Sequence, residues 1–547
     1  MFFDIFTSFQ TVHLFPVFTV LLIILFFIYY LRVIRPKKGT TEWIDMEIKK
    51  TPGAFLVSRY NMAKNDILPL VLISAVFLFL GIFDLGGTGE VDVLREIALR
   101  DEMHSLITLE RNDELVHDAD IARLDELRIH TANDNHMNYL YFDEVFFVRT
   151  AVEHIEHLSI FEWTHPPLGK DIIAASIHIF GMSPLGWRML GAISGVLMLI
   201  VMYIFLKNMF GKTSIATCGT LLFGFEFMRF VMSRIGTVDT FVILFILTSF
   251  FFMYRYITTD GDAKFRESLL PLALSGLFFG LSFSVKWIGF YAGAGLLVIY
   301  IIRQVKLYIY YKDNKKKGFA EYFTKTILFS FLFFVIVPLI VYYVSYIPYG
   351  HSHGMSVRGG MLWAPSFFEI FINNQVSMFT YHAGLEAEHP FTSVWWQWIF
   401  NIRPILFVWD RTHDGTRAAF GSFGNPVIWW GGLVAIIVMC VRAFIKRDDR
   451  SLFIVIGYLC GLLPWVAVTR ILFAYHYFPS SLFLTLALCH VFNAILNRKK
   501  PLSKPAVYGF TAFAGLIFAL FYPSLSGMFM PDWYFENFVR WLPSWPF

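Results

Sequence analysis

The sequence predicts an all-α polytopic membrane protein, and three observations carry that prediction. Of the 547 residues 56% are hydrophobic, 19% aromatic and only 16% charged, and the mean hydropathy is +0.58. A soluble fold cannot hide that much apolar surface. Apolar runs long enough to cross a bilayer recur along the chain, about 20 residues being enough for one crossing. Basic residues gather in alternate loops between those runs, the pattern of a cytoplasmic face.

The first run is Leu14–Leu31. It has Asp4 before it and Arg32, Arg35, Lys37 and Lys38 after it. A cleavable signal peptide carries its positive charge in front, so this reads as an uncleaved anchor with its N-terminus outside. Residues 1–65 would form this anchor and a basic cytoplasmic loop. Further spans read as Ile67–Phe83, Trp187–Leu206, Thr213–Met232, Val238–Tyr256, Leu269–Val285, Ile288–Ile302 and Thr326–Tyr346. Val427–Val441, Leu452–Val468, Phe478–Leu496 and Val507–Tyr522 complete the set, about twelve crossings in all. Splitting Leu269–Ile302 in two keeps the basic loops on one side. Those loops carry Lys207 and Lys212, Lys306 to Lys325, Arg442 to Arg450, and Arg498 to Lys504. The expected units are a module over 66–346, an outer loop region over 347–425, and a four-helix-type region over 426–547 ending in a Trp-rich outer tail.

Two segments outside the membrane are large. Residues 87–138 are rich in Asp and Glu and read as one or two short amphipathic helices. His104, His117, His130 and His136 share no ligand spacing there, so a solvated insert is expected and a metal site is not. Ile347–Arg403 is too polar to cross and too aromatic for a plain linker. Asp171–Gly181 is apolar but too short to span, and reads as an interfacial helix positioned by Pro166 and Pro167. Cys218, Cys440, Cys460 and Cys489 sit in apolar runs and read as packing residues. The chain shows no internal repeat, Gly-rich phosphate loop, nucleotide fingerprint or zinc motif. A nucleic-acid partner and a nucleotide-sugar donor are therefore not expected.

The chemistry gathers on the face opposite the basic loops. "YFDEVFF" places Asp143 and Glu144 among aromatics in the outer segment, followed by "THPPLGK". Arg188, Arg234, Asp239, Lys286, Arg470 and His476 also fall at outer span ends. Ionisable residues against apolar helices are costly and mark function by default, although any one arginine alone is as readily a headgroup anchor or a structural ion pair. An acid beside cations at the membrane interface suits transfer from a lipid-linked phosphate donor. The carboxylate accepts a proton from an incoming hydroxyl, and the cations stabilise the departing phosphate.

The order "YFDEVFFVRTA … THPPLGKDIIA … GWRMLGAISG … FMRFVMSRIGTVDTFVI … GLSFSVKWIG … YHAGLEAEHPFTSVWWQW … AYHYFPSSLF" resembles the protein O-mannosyltransferases, membrane glycosyltransferases of the GT-C class. The resemblance runs from about Ile67 to Phe547. It implies a polyprenyl- or dolichyl-phosphate-linked mannose donor, a Ser or Thr hydroxyl of a protein acceptor, and inversion at the sugar. It implies Asp143 as base and Glu144 as an acceptor-binding or orienting residue. It implies Arg188, Arg234, Lys286, His165 and Arg470 on the donor phosphate and His382 and Trp395 on the acceptor side. Asp239 and His476 are expected on the same face. The Ile347–Arg403 segment is too short for the β-trefoil domain of eukaryotic members, so a prokaryotic-type member is expected. No cofactor or resident metal is expected, with a divalent cation left open, as is a dimer. The expected location is the plasma membrane, with the site on the extracytoplasmic face and membrane lipids around it. The competing enzyme reading is a transferase of another lipid-linked sugar to a lipid or envelope polymer, similar to the aminoarabinose transferases. A transporter would favour charges near the midplane and inverted repeats, neither of which the sequence shows.

Overall fold

The structure, a computed structural model, describes residues 62, 64–83, 85–111, 136–259, 265–412 and 415–547. The anchor predicted at Leu14–Leu31 and most of the following basic loop lie outside these residues. Backbone groups in hydrocarbon find no water, so apolar runs must satisfy them internally as helices. Ten helices among the described residues are long and apolar enough to cross a membrane.

The first is α1 (Lys64–Ile82). The acidic segment supplies α2 (Val93–Arg111), and residues 112–135 lie outside the described set. Two short helices, α3 (Glu144–Glu156) and α4 (Leu168–Phe180), precede the long span α5 (Pro184–Phe210). The interfacial helix expected at Asp171–Gly181 is α4. Gly169 lets it approach the next elements closely, because a Cβ there would stand 2.5 Å from Val238 Cγ1.

The predicted span Thr213–Met232 is two helices, α6 (Thr213–Gly224) and α7 (Phe227–Met232). The physical reason is the buried Glu226, which accepts the Met228 and Arg229 N–H groups and so starts a new helix. Arg229 donates to the carbonyls of Phe223 and Gly224 that the break exposes. Spans α8 (Asp239–Ile257), α9 (Phe265–Val285) and α10 (Gly289–Asp313) follow. The break between α9 and α10 falls at Lys286–Ile288, so the predicted division of Leu269–Ile302 is observed. The next span, α11 (Phe319–Ser352), contains a π-helical turn at Leu332–Ile336.

The segment after α11 holds α12 (Pro365–Gly384) and α13 (Trp395–Ile399). A small antiparallel sheet then departs from the all-helical expectation. Its strands are β1 (Ile405–Arg411), β2 (Thr416–Ser422) and, from the C-terminal tail, β3 (Met530–Pro531), in that order. Spans α14 (Pro426–Ile445), α15 (Asp449–Val466), α16 (Ala474–Asn497) and α17 (Ser503–Ser526) complete the bundle. The Trp-rich tail is only partly interfacial. Trp533 is exposed, but Trp545 is buried against Phe423 and Phe521 and donates to the Asn401 carbonyl at 2.8 Å.

Two ends of the bundle differ in chemistry. Arg188 and Lys207 both lie on α5, about 28 Å apart at 1.5 Å per residue. That is close to the thickness of a bilayer core, about 30 Å. Lys207 pairs with Asp66, Lys306 with Asp449, Arg442 and His490 with Asp448, and Lys212 bonds Asn497. The helix ends that carry the basic loops therefore meet at one end, and the site residues meet at the other.

Candidate active site

The two adjacent acids of "YFDEVFF" diverge. Phe142 adopts φ +54°, a left-handed conformation that a bulky residue takes only when its surroundings hold it. Its ring is clamped by Phe407, Phe473 and Tyr475. Asp143 follows as the residue that caps α3, yet its side chain makes no capping bond. One residue on, Glu144 is completely buried. Arg188 grips it with two hydrogen bonds of 2.7 Å, and the Gly236 N–H adds a third at 2.6 Å.

Asp143 is half-buried, and its carboxylate makes no direct hydrogen bond or ion pair with any described residue. Burial raises its carboxyl to about 7. Lys286 opposes that rise, while Asp239 and Glu162 add to it. Lys286 donates to both oxygens of Asp239, at 2.9 and 3.1 Å, and lies over the Tyr475 ring. The "HPPLGK" motif forms the facing wall. Its fully buried Lys170 donates to the Glu162 carboxylate at 2.6 Å and to the carbonyls of Glu162 and His165. His165 Nδ1 lies 2.9 Å from Glu162. Burial alone would raise Glu162, but Lys170 and His165 outweigh it and hold the carboxyl well below the usual range.

His382, from the C-terminal turn of α12, reaches the same wall. Its ring lies 5.4 Å from that of His165, and its Nε2 is 2.8 Å from the Thr164 carbonyl. Burial lowers His382 to about 3, with His165 and Arg470 contributing, and burial lowers His165 as well. Both imidazoles are therefore neutral near pH 7 and offer hydrogen bonds without charge.

The outer cations divide into two kinds. Arg188, expected on the donor phosphate, directs its remaining donors to the carbonyls of Leu85, Met137 and Tyr139. All five of its N–H groups are used within the protein, and the side chain has no exposed surface. Arg234, also expected on the phosphate, donates to the carbonyls of Leu80, Gly81 and Phe83 at the end of α1 and is fully buried. These two arginines hold the fold at the site and are not presented to a ligand. Arg470 differs. It is half-buried, pairs with no described carboxylate, and makes only a 3.5 Å contact with the next carbonyl, that of Ile471. Its charge acts on Tyr475, Tyr291 and Tyr381 and on the two histidines His382 and His476.

His476 is buried among aromatic rings, with Trp465, Tyr475 and Trp398 at 4.4, 4.7 and 5.9 Å. Trp395 is half-buried on α13, one turn before Trp398. The structure thus brings Asp143, His165, Asp239, Lys286, His382, Arg470 and His476 together and withdraws Glu144, Arg188 and Arg234 into the frame. Sequence reasoning missed Glu162 and Lys170 as partners. Their signal was an acid three residues before the histidine of "HPPLGK" and the lysine that ends it. Among the described residues no three His, Cys, Asp or Glu side chains are grouped to hold a metal ion.

The family model for dolichyl-phosphate-mannose-protein mannosyltransferase matches residues 180–349. The model for the C-terminal four-transmembrane region of protein-O-mannosyltransferase matches residues 367–545. The two together cover more than half of the chain. A polyprenol-phosphate-mannose–protein mannosyltransferase of Corynebacterium glutamicum is 26% identical over 432 residues, which is 70% of this chain and 81% of that protein. Its namesake from Mycobacterium tuberculosis is 25% identical over 441 residues, 70% of this chain and 80% of the other. A structure of the S. cerevisiae protein O-mannosyltransferase Pmt1–Pmt2 complex bound to the sugar donor shares the fold. Its TM-score is 0.70 at 14% identity, over 91% of this chain and 95% of that one.

Proposed function

We propose, from the premise that this chain belongs to the protein O-mannosyltransferase family, that it transfers mannose from a polyprenyl-phosphate-linked donor to Ser or Thr hydroxyls of proteins. The fold is that of the GT-C membrane glycosyltransferases. The observation that carries the reading is Asp143, an unpaired carboxylate with Lys286 close by. In the proposed step Asp143 takes the proton of the acceptor hydroxyl as its oxygen attacks the anomeric carbon. The bond from that carbon to the phosphate oxygen breaks, and the lipid phosphate leaves with the electron pair. A single displacement inverts the anomeric centre. Arg470 and Lys286 stabilise the charge that develops on the leaving phosphate, so the mechanism assigns no step to a metal.

Glu144 and Arg188 act as struts that fix where Asp143 points. Asp239 orients Lys286. His165 and His382 give neutral hydrogen bonds to sugar or acceptor hydroxyls, and Trp395 is a contact for the acceptor chain. The site is assigned to the extracytoplasmic face of the plasma membrane, because the basic loops mark the opposite end.

The test is transfer by the full-length protein in proteoliposomes, supplied with polyprenyl-phosphate-mannose and a Ser/Thr-rich peptide. Asp143→Asn is expected to lower kcat by about 10²-fold or more, the usual worth of a general base, with unchanged thermal unfolding. Equal activity of the variant would remove Asp143 from its role. Activity only on another lipid-linked sugar, or on a lipid acceptor, would favour the aminoarabinose-transferase-like alternative.

A further inference from the structure

Helix α12 has an exposed side that the site does not use, and that side is divided lengthwise. With 3.6 residues per turn, Phe368, Ile372 and Val376 fall on one stripe, and all three are exposed. Glu369, Asn373, Ser377 and Thr380 fall on the adjoining stripe and are exposed too. The third side, with Phe367, Asn374 and Met378, is buried. Water alone gives no reason for the apolar stripe, and hydrocarbon alone would not accept the polar one. A helix lying in a lipid–water boundary needs both.

Contacts with α11 give the level of α12. Tyr343 packs on Phe367, Phe368 and Phe371, and the Tyr346 hydroxyl donates to Asn374 at 2.6 Å. Lys325 lies near the basic end of α11. About 20 residues of helix cross the hydrocarbon, which puts Tyr343 and Tyr346 at its far edge. On α11 the neighbouring Ile340 and Val344 are exposed, as lipid-facing residues of a span should be. Phe368 therefore continues a lipid-facing surface. Just before α12, Trp363 is 90% exposed, and tryptophan favours the headgroup level.

We infer that α12 rests on the phospholipid surface at the site end of the bundle. Trp363, Phe368, Ile372 and Val376 enter the boundary between headgroups and acyl chains, and the polar stripe faces water. The C-terminal turn of the same helix carries Tyr381 to Trp163 and His382 to Thr164. Lipid contact thereby sets the height of one wall of the site. The inference rests on the membrane reading of the bundle and not on the sugar transferred.

The test places single nitroxide labels on the full-length protein in phosphatidylcholine–phosphatidylglycerol vesicles, in a Cys440→Ser background because Cys440 is only half-buried. Phe368→Cys, Ile372→Cys and Val376→Cys are compared with Glu369→Cys, Asn373→Cys and Ser377→Cys. Collision rates are read with oxygen, which concentrates in lipid, and with a water-soluble nickel chelate. The expected oxygen-to-nickel ratio is severalfold higher at the first three positions. Equal ratios on both stripes would overturn the inference, since both would then face the same medium, water or lipid. Shielding of the apolar stripe from both reagents would also overturn it, since a second copy or another protein would then cover it. Each neighbouring pair is a complete comparison, so one variant that fails to fold leaves the others decisive.

Discussion

At Asp143 burial and charge are balanced so that the carboxyl stands at about 7, and the sign of its pH dependence follows. A base works only when deprotonated, so transfer is expected to rise about tenfold per pH unit below 7 and to level above it. Asp239→Asn removes a negative neighbour and releases Lys286, and both changes favour the ionised form. The acidic limb of the kcat/KM profile, which reports groups of the free protein, should move to lower pH. Lys286→Met removes the opposing cation and should move it to higher pH. A limb that stays in place in both variants would mean that another group titrates. Arg470 gives a second prediction, because it has no carboxylate to leave behind. Arg470→Met should raise the donor KM or lower kcat by about 1.5–3 kcal/mol of lost charged hydrogen bonding, with little change in thermal unfolding. A large fall in unfolding temperature with normal kinetics would make Arg470 structural. The sequence placed the acid and the cations at one end but could not rank the cations. Arg188 is held by carbonyls that include one 103 positions away, and Arg234 bonds one 154 positions away. No local pattern reports such bonds, so a bound arginine and an available one look alike in the chain.

Elements come together at this site through buried polar joints. Glu144 and Arg188 tie the start of α3 to α5, and the Gly236 N–H joins the loop before α8 to them. Removing one partner of such a pair leaves a charge buried without compensation, which costs about 3–5 kcal/mol. Glu144→Leu and Arg188→Met should therefore each lower the unfolding temperature sharply in detergent. The double variant should recover part of the loss, because no charge is then stranded. Single variants that unfold normally and differ only in donor binding would return Arg188 to the phosphate. The spans were legible because any long apolar run in a bilayer must be a helix. The helix break at Glu226 was not, since it depends on one buried carboxylate meeting two N–H groups. The sheet was missed for a different reason. "ILFVWDR" and "TRAAFGS" flank an Asp-Gly pair, the sequence signal of a hairpin turn, but they lie within 347–425, which the sequence predicts only as an outer loop region. Gly415, at φ +80°, supplies the left-handed position of that turn.

Across the whole molecule, one end collects the basic loops and the other collects the chemistry, and the spans alternate between them. That arrangement makes orientation a single two-valued property, which the positive-inside rule sets. Thr412, exposed in the β1–β2 connection, stands at the site end, and the exposed Lys316 between α10 and α11 stands at the basic end. Of the native cysteines Cys218, Cys460 and Cys489 are buried, so added thiols report cleanly once Cys440 is replaced. A membrane-impermeant maleimide should label Thr412→Cys in intact cells, and Lys316→Cys only after permeabilisation. The reverse pattern would put Asp143 in the cytoplasm, and a lipid-linked donor with an extracytoplasmic protein acceptor would no longer fit. Labelling of both positions in intact cells would break the alternation itself. It would mean that α11, the span between these two positions, does not cross.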